Sequence, residues 1–188
     1  GTFTSDPRIR YDRMTKKWYF LIIDVPAGTG AIANRILVGV SPDSTIKLST
    51  IFKFFFYQHT TTFWDYPTLG IDANALYIGG NLFTFAGSFS NTRAIVINKA
   101  SIQGAGPMVT TNLGNLLANS SAAGPYTPQG VDNPDPTATE GYFIGTDNAT
   151  FGTLMIRRVS TPGGTPTISG NLSLTVSTTT SPLLVNHQ

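Results

Sequence analysis

Two stretches of this chain can be laid over each other, and that match limits the possible folds more than any other feature. Asp6-Pro7-Arg8-Ile9-Arg10-Tyr11-Asp12 matches Tyr66-Pro67-Thr68-Leu69-Gly70-Ile71-Asp72 at an offset of about 60, with the Pro and the closing Asp in register. In both copies the Asp leads through a short polar turn (Arg13 to Lys17; Ala73-Asn74) into an aromatic and aliphatic run, Trp18-Tyr19-Phe20-Leu21-Ile22-Ile23 or Leu76-Tyr77-Ile78-Gly79. A looser third copy reads Asn133-Pro134-Asp135-Pro136, followed by Gly141-Tyr142-Phe143-Ile144-Gly145. The next apolar run recurs as 34–40, 92–97 and 153–157, and a fourth as 51–57, 108–113 and 172–176. The chain therefore divides into repeats 1–62, 63–120 and 121–178 with a tail 179–188, each repeat opening at a Pro where no ladder donor is yet needed.

Four short strands repeated at a fixed interval are the pattern of β-propeller blades, with long loops because the period exceeds the usual ~40–50 residues. Expected loops run from Asp24 to Ala33, Phe83 to Asn91 and Ala118 to Thr139. Runs such as Trp18 to Ile23 are apolar throughout, which suits sheets covered on both faces. The expected fold is all-β, a propeller segment of about three four-stranded antiparallel blades; a β-sandwich is the alternative. Composition agrees: 27 Thr, 12 Phe and 7 Tyr stand against a single Glu, so strands are favoured over surface helices. The expected core includes Trp18, Phe20, Ile36, Val38, Phe54, Tyr77, Ile95, Val96, Phe143 and Met155.

Several function classes recede on the same evidence. The net charge is +2 with dispersed basic residues, which is no footprint for nucleic acid. Cys is absent, and with it thiolate catalysis and zinc sites of the Cys type. No run approaches the ~18 apolar residues of a membrane helix. His59 and His187 are far apart in sequence, so no His-based triad or metal pair can be drawn. Gly28-Thr29-Gly30 and Gly79-Gly80 lack the helix and Lys of a phosphate loop and read as turns.

The segments Ser5 to Asp12 with Trp18-Tyr19-Phe20, and above all Asp65 to Gly79, resemble secreted bacterial β-propeller proteins of the sialidase-like (BNR-type) group. The likeness covers about residues 5–100 and fades to pattern beyond. It implies export to the cell surface or medium, and a fold more than a chemistry, because most such proteins have no assigned activity. Enzymes of the group are similar in using an arginine triad, a Tyr nucleophile activated by Glu, and an Asp acid/base. Ser41-Pro42-Asp43-Ser44-Thr45 begins like their Asp-box but lacks its Gly and Trp, Arg8 is followed by Ile9-Arg10 rather than Ile-Pro, and Glu140 sits in a Thr-rich loop. These departures argue against sialidase activity.

Four acids, Asp6, Asp12, Asp65 and Asp72, occupy equivalent places in two repeats, with Asp132 and Asp135 approximating them in the third. Their convergence at one rim would make an oxygen-rich cluster of the kind that holds Ca²⁺; the alternative is that each accepts N–H bonds in its own turn. Trp64, Tyr66 and Tyr126, with Arg8, are the candidates for a glycan ligand, although an aromatic placed like Trp64, just before a blade, is more often wedged between blades. Three blades do not close a ring, since propellers take about four to eight. Further blades of a longer chain, suggested by the opening Gly1-Thr2-Phe3-Thr4, or further copies are expected to cover the outer faces. The function expected is a non-enzymatic extracellular propeller module for binding or surface assembly; the alternative is part of a sialidase-like glycoside hydrolase with catalytic groups in missing blades.

Overall fold

The computed structural model describes residues 3–25, 34–104 and 106–180. The Gly28-Thr29-Gly30 turn, most of the expected 24–33 loop, His187 and most of the 179–188 tail lie outside the described residues. Three antiparallel sheets follow one another along the chain. The first is a meander of β1 (Phe3–Asp12), β2 (Lys17–Val25), β3 (Arg35–Val40) and β4 (Lys53–Gln58). In the middle sheet, β5 (Phe63–Asp65) and β6 (Gly70–Ile71) both pair with β7 (Ala75–Phe83), which leads to β8 (Phe89–Asn98), the short helix α1 (Lys99–Gln103) and β9 (Thr110–Asn115). The last sheet holds β10 (Pro125–Gly130), β11 (Glu140–Asp147), β12 (Thr153–Ser160) and two short strands on β12, β13 (Thr167–Ile168) and β14 (Leu172–Thr175).

Side-chain alternation shows how the sheets stack. From the middle sheet, Leu76, Ile78, Ile95 and Ile97 join Tyr19, Leu21, Ile23, Ile36 and Val38 of the first sheet in one buried cluster. The intervening residues, Ala75, Tyr77, Ala94 and Val96, join Phe143 and Val159 of the last sheet in a second cluster. The middle sheet is thus buried on both faces, which a two-layer sandwich does not allow. Stacked sheets lie about 10 Å apart, so the outer two would be remote if the layers were parallel. Instead Arg10 Nε of the first sheet donates to Asp132 Oδ2 beside the last at 2.9 Å. The three sheets therefore converge toward their first strands, as propeller blades do.

The repeat has a conformational basis. Asp6, Tyr66 and Thr127 each precede a Pro and each hold a left-handed φ, 54°, 51° and 45°. In β1 and β10 that residue lies at a register shift, and in the middle sheet it separates β5 from β6. Five residues after each Pro an Asx side chain caps a turn: Asp12 Oδ1 accepts from Met14 N (3.0 Å), Asp72 Oδ1 from Asn74 N (2.7 Å) and Asn133 Oδ1 from Asp135 N (3.0 Å). The third copy is therefore anchored at Pro128 and Asn133, not at Pro134 and Asp135, and the expected 118–139 loop contains β10. Its signal is weak in sequence because Asn replaces the closing Asp and Thr the residue before Pro.

Seven of the expected core residues are buried: Ile36, Val38, Tyr77, Ile95, Val96, Phe143 and Met155. Trp18 and Phe20 are half-buried, and Phe54 is 68% exposed. All three lie on the outer face of the first sheet, which no other sheet among the described residues covers. No helix among the described residues is long and apolar enough to cross a membrane.

Candidate functional site

The convergence of the first strands leaves a cleft of about 600 Å³ lined by Arg10 to Met14, Ile71 and Asp132 to Pro134. All three repeats contribute, each through the Asx-capped turn or the strand entering it. Asp132 stitches the cleft together. Its Oδ2 takes the Arg10 hydrogen bond and its Oδ1 accepts from Ile71 N at 3.0 Å, while Asn133 N donates to Ile71 O at 2.9 Å. Arg10 and Asp132 are both substantially exposed, so their ion pair positions more than it stabilises. Arg13, on the turn after β1, is exposed and without a hydrogen-bond or ion-pair partner among the described residues. Tyr11 beside it is tilted against Trp18 at 4.9 Å between ring centroids.

Behind the cleft lies a buried cation. Lys99, the first residue of α1, is 2% exposed. Its Nζ donates to Asp12 Oδ2 at 2.8 Å and to Asp72 O. Asp12 also accepts from Thr15 Oγ1 (2.6 Å). Burial alone pushes the Asp12 carboxyl up, but Lys99, Thr15 and the Met14 N–H together hold it below the usual carboxylate range. Asp72 is fully buried and accepts from Asn74 N, Ala75 N (2.8 Å) and Tyr77 Oη (2.5 Å). Burial, and then the bond to Asp72, drive the Tyr77 hydroxyl far above its ordinary range.

Rather than converging at one rim, the four candidate metal ligands divide into two pairs. Asp12 and Asp72 meet at Lys99, and Asp6 faces Asp65 at the opposite end of the first strands. Burial, followed by the adjacent Asp6, raises the Asp65 carboxyl despite the opposing bond from Tyr66 N. Among the described residues no group of three or more His, Asp or Glu is arranged to hold a metal ion. Asp12 and Asp72 cap their own turns and are linked through Lys99.

The candidate ligand residues are scattered as well. Trp64 is fully buried between the first two sheets, edge-on to Tyr57 and His59, with its backbone clamped by the Asn34 amide. That corrects its assignment as a ligand residue; no Cβ stands at Gly80, and the indole fills the space. Tyr66 is exposed at the bulge between β5 and β6, and Arg8 donates to Pro7 O. Tyr126 packs on Phe89 (5.3 Å) and lines a shallower 260 Å³ pocket with 146–151. The cleft residues Arg10, Tyr11 and Arg13 were not singled out in the sequence as ligand residues, although all three lie in or beside the repeated segment; Asp132 was noted only as a counterpart of the repeated acids.

One Tyr–Glu pair is present. Tyr142 Oη donates to Glu140 Oε2 (3.1 Å), and Arg158 Nε lies 3.4 Å from Glu140 Oε1. Desolvation and this carboxylate raise the Tyr142 hydroxyl, the reverse of what a phenoxide nucleophile requires. The pair lies on the outer face of the last sheet, away from the cleft. Comparison with protein-family models, with curated proteins and with solved structures finds no match for this chain.

Proposed function

We propose that this protein is a non-enzymatic, extracellular propeller module that binds a glycan in the cleft where its three repeats meet. The observation that carries this reading is Arg13, an uncommitted cation at the mouth of a 600 Å³ cleft with the Tyr11 ring beside it. A planar guanidinium suits an acidic sugar, and an aromatic ring suits a sugar face. The neighbouring acids support binding over catalysis, since Asp12 is neutralised by Lys99 and Asp132 by Arg10 and the Ile71 N–H. Extracellular placement rests on the sialidase-like resemblance and on the low-charge, Thr-rich composition.

A glycan array followed by calorimetry tests this. Acidic oligosaccharides are expected to bind, and Arg13→Ala to weaken them at least tenfold with the melting temperature unchanged. A fluorogenic sialoside separates the hydrolase reading: turnover abolished by Glu140→Gln would replace the binding module with an enzyme.

A further inference from the structure

The two interfaces between sheets are made in the same way, and that gives the stack a direction. The third residue of the second strand is Tyr in every sheet: Tyr19 in β2, Tyr77 in β7 and Tyr142 in β11. Tyr19 faces the middle sheet, where Gln103 Nε2 donates to its hydroxyl at 2.8 Å. Tyr77 faces the last sheet, lying over Gly141 and edge-on to Phe143 at 5.9 Å. Each tyrosine-bearing face is thus covered by the following sheet. By the same alternation Tyr142 lies on the outer face of the last sheet with Ile144, Leu154 and Ile156, flanked by Leu172 and Leu174 of β14. Nothing follows it among the described residues.

The opposite end carries the complementary surface. The faces that receive a preceding sheet are Leu76, Ile78, Ile95 and Ile97 in the middle sheet and Gly141, Phe143 and Met155 in the last. Their counterpart on the first sheet is Ile9, Tyr11, Trp18, Phe20, Phe54 and Phe56. This face has a packed aromatic centre, in which Phe20 lies on Gly39 and meets Phe52 and Phe54 edge-on at 5.4 and 5.9 Å. An exposed apolar sheet face of this extent marks an interaction surface.

We infer that a second copy of this chain covers both faces, the tyrosine face of the last sheet of each copy docking on the aromatic face of the first sheet of the other. The molecule carries both halves of an interface it already makes twice internally, so no foreign chemistry is needed. Ring size selects the number: two copies supply six sheets, within the about four to eight that close a propeller, and three would supply nine. The contact is heterologous, but two copies close it. Of the docking residues Tyr11 alone also lines the cleft; Phe54, Phe56, Leu172 and Leu174 do not, so docking tested at those positions stands or falls independently of glycan binding.

Light scattering on the 188-residue chain tests it, with Phe54→Asp/Phe56→Asp blocking one face and Leu172→Asp/Leu174→Asp the other; all four side chains are exposed in the single copy, and circular dichroism checks the fold of each variant. The wild type is expected at about 40 kDa, twice 20.1 kDa, and each variant alone at the mass of one copy. Mixing the two variants is expected to restore the doubled mass, because one sound face of each kind is then available. A wild type that stays at one copy across micromolar to millimolar concentration overturns the inference in favour of additional sheets from elsewhere. A dimer that survives either variant, or a mixture that stays monomeric, overturns the head-to-tail contact.

Discussion

Lys99 Nζ lies 2.8 Å from Asp12 Oδ2, with both side chains 3% exposed and the two residues 87 positions apart in sequence. The pair joins the turn after β1 to the start of α1, and through Asp72 O it also holds the turn before β7. Removing one partner of a buried pair leaves the other charge without compensation, at a cost of about 3–5 kcal/mol. Asp12→Ala and Lys99→Met are each expected to destabilise by that amount in urea titration. The double variant Asp12→Leu/Lys99→Met is expected to recover most of the loss; additive losses would show that the side chains do not act as a pair.

Gly70 and Gly130 bring the backbones of the middle and last sheets into contact. A Cβ on Gly70 would stand 2.2 Å from Gly130 C, and one on Gly130 would stand 2.2 Å from Tyr77 O. No rotamer relieves a clash with main chain. Gly70→Ala and Gly130→Ala are expected to cost more than about 3 kcal/mol each, at the upper end of overpacking. Gly106→Ala, with open space around it, is expected to be neutral, and thermal melts of the three variants compare them directly.

His59 is 3% exposed against Trp64, and Arg93 Nη1 donates toward its Nδ1 at 3.4 Å, which leaves the Nε2 proton for Thr62 Oγ1 at 2.6 Å. Burial first, and then the Arg93 charge, lower its pKa from 6.5 to about 4. The unfolded chain therefore takes up the proton before the folded one does. Stability from this group is complete above pH 6.5 and is lost as pH falls toward 4, by up to roughly 3 kcal/mol at 1.36 kcal/mol per unit. His59→Gln is expected to flatten the dependence of unfolding free energy on pH across that window; an unchanged slope would refute the assignment.

Lys16 closes the turn between β1 and β2 at φ 55° and is exposed, with no side-chain hydrogen bond among the described residues. A side chain held in that left-handed region costs about 1–2 kcal/mol, part of which glycine returns through the greater freedom of the unfolded chain. Lys16→Gly is expected to raise stability by roughly 0.5–1 kcal/mol in denaturant titration. A loss of stability would show that Lys16 makes a compensating contact.

The strands were legible because period and residue type both point to them. Trp18 to Ile23 and Leu76 to Gly79 are apolar or small throughout, and both lie in second strands that pair on two sides. Phe54 shows the limit: an aromatic strand residue reads as core whichever face it occupies, and its face is set by the register of β4 on β3. Helix α1 is too short to have a period, and its start depends on the Asn98 cap accepting from Ser101 N. The cleft was half legible. Arg10 and Asp12 stand in the repeated segment, but nothing local pairs Arg10 with Asp132, 122 positions away.

Sequence alone determined the strand content, the period near 60 residues and the proline-marked entry to the first two repeats, because these depend on backbone preferences acting over a few neighbours. Only the tertiary structure decided that Pro128 opens the third repeat, that Lys99 Nζ links the Asp12 carboxylate to the Asp72 carbonyl, and that the sheets converge on one cleft. Those outcomes rest on contacts between residues distant in the chain, whose energies arise only when the sheets pack and exclude water.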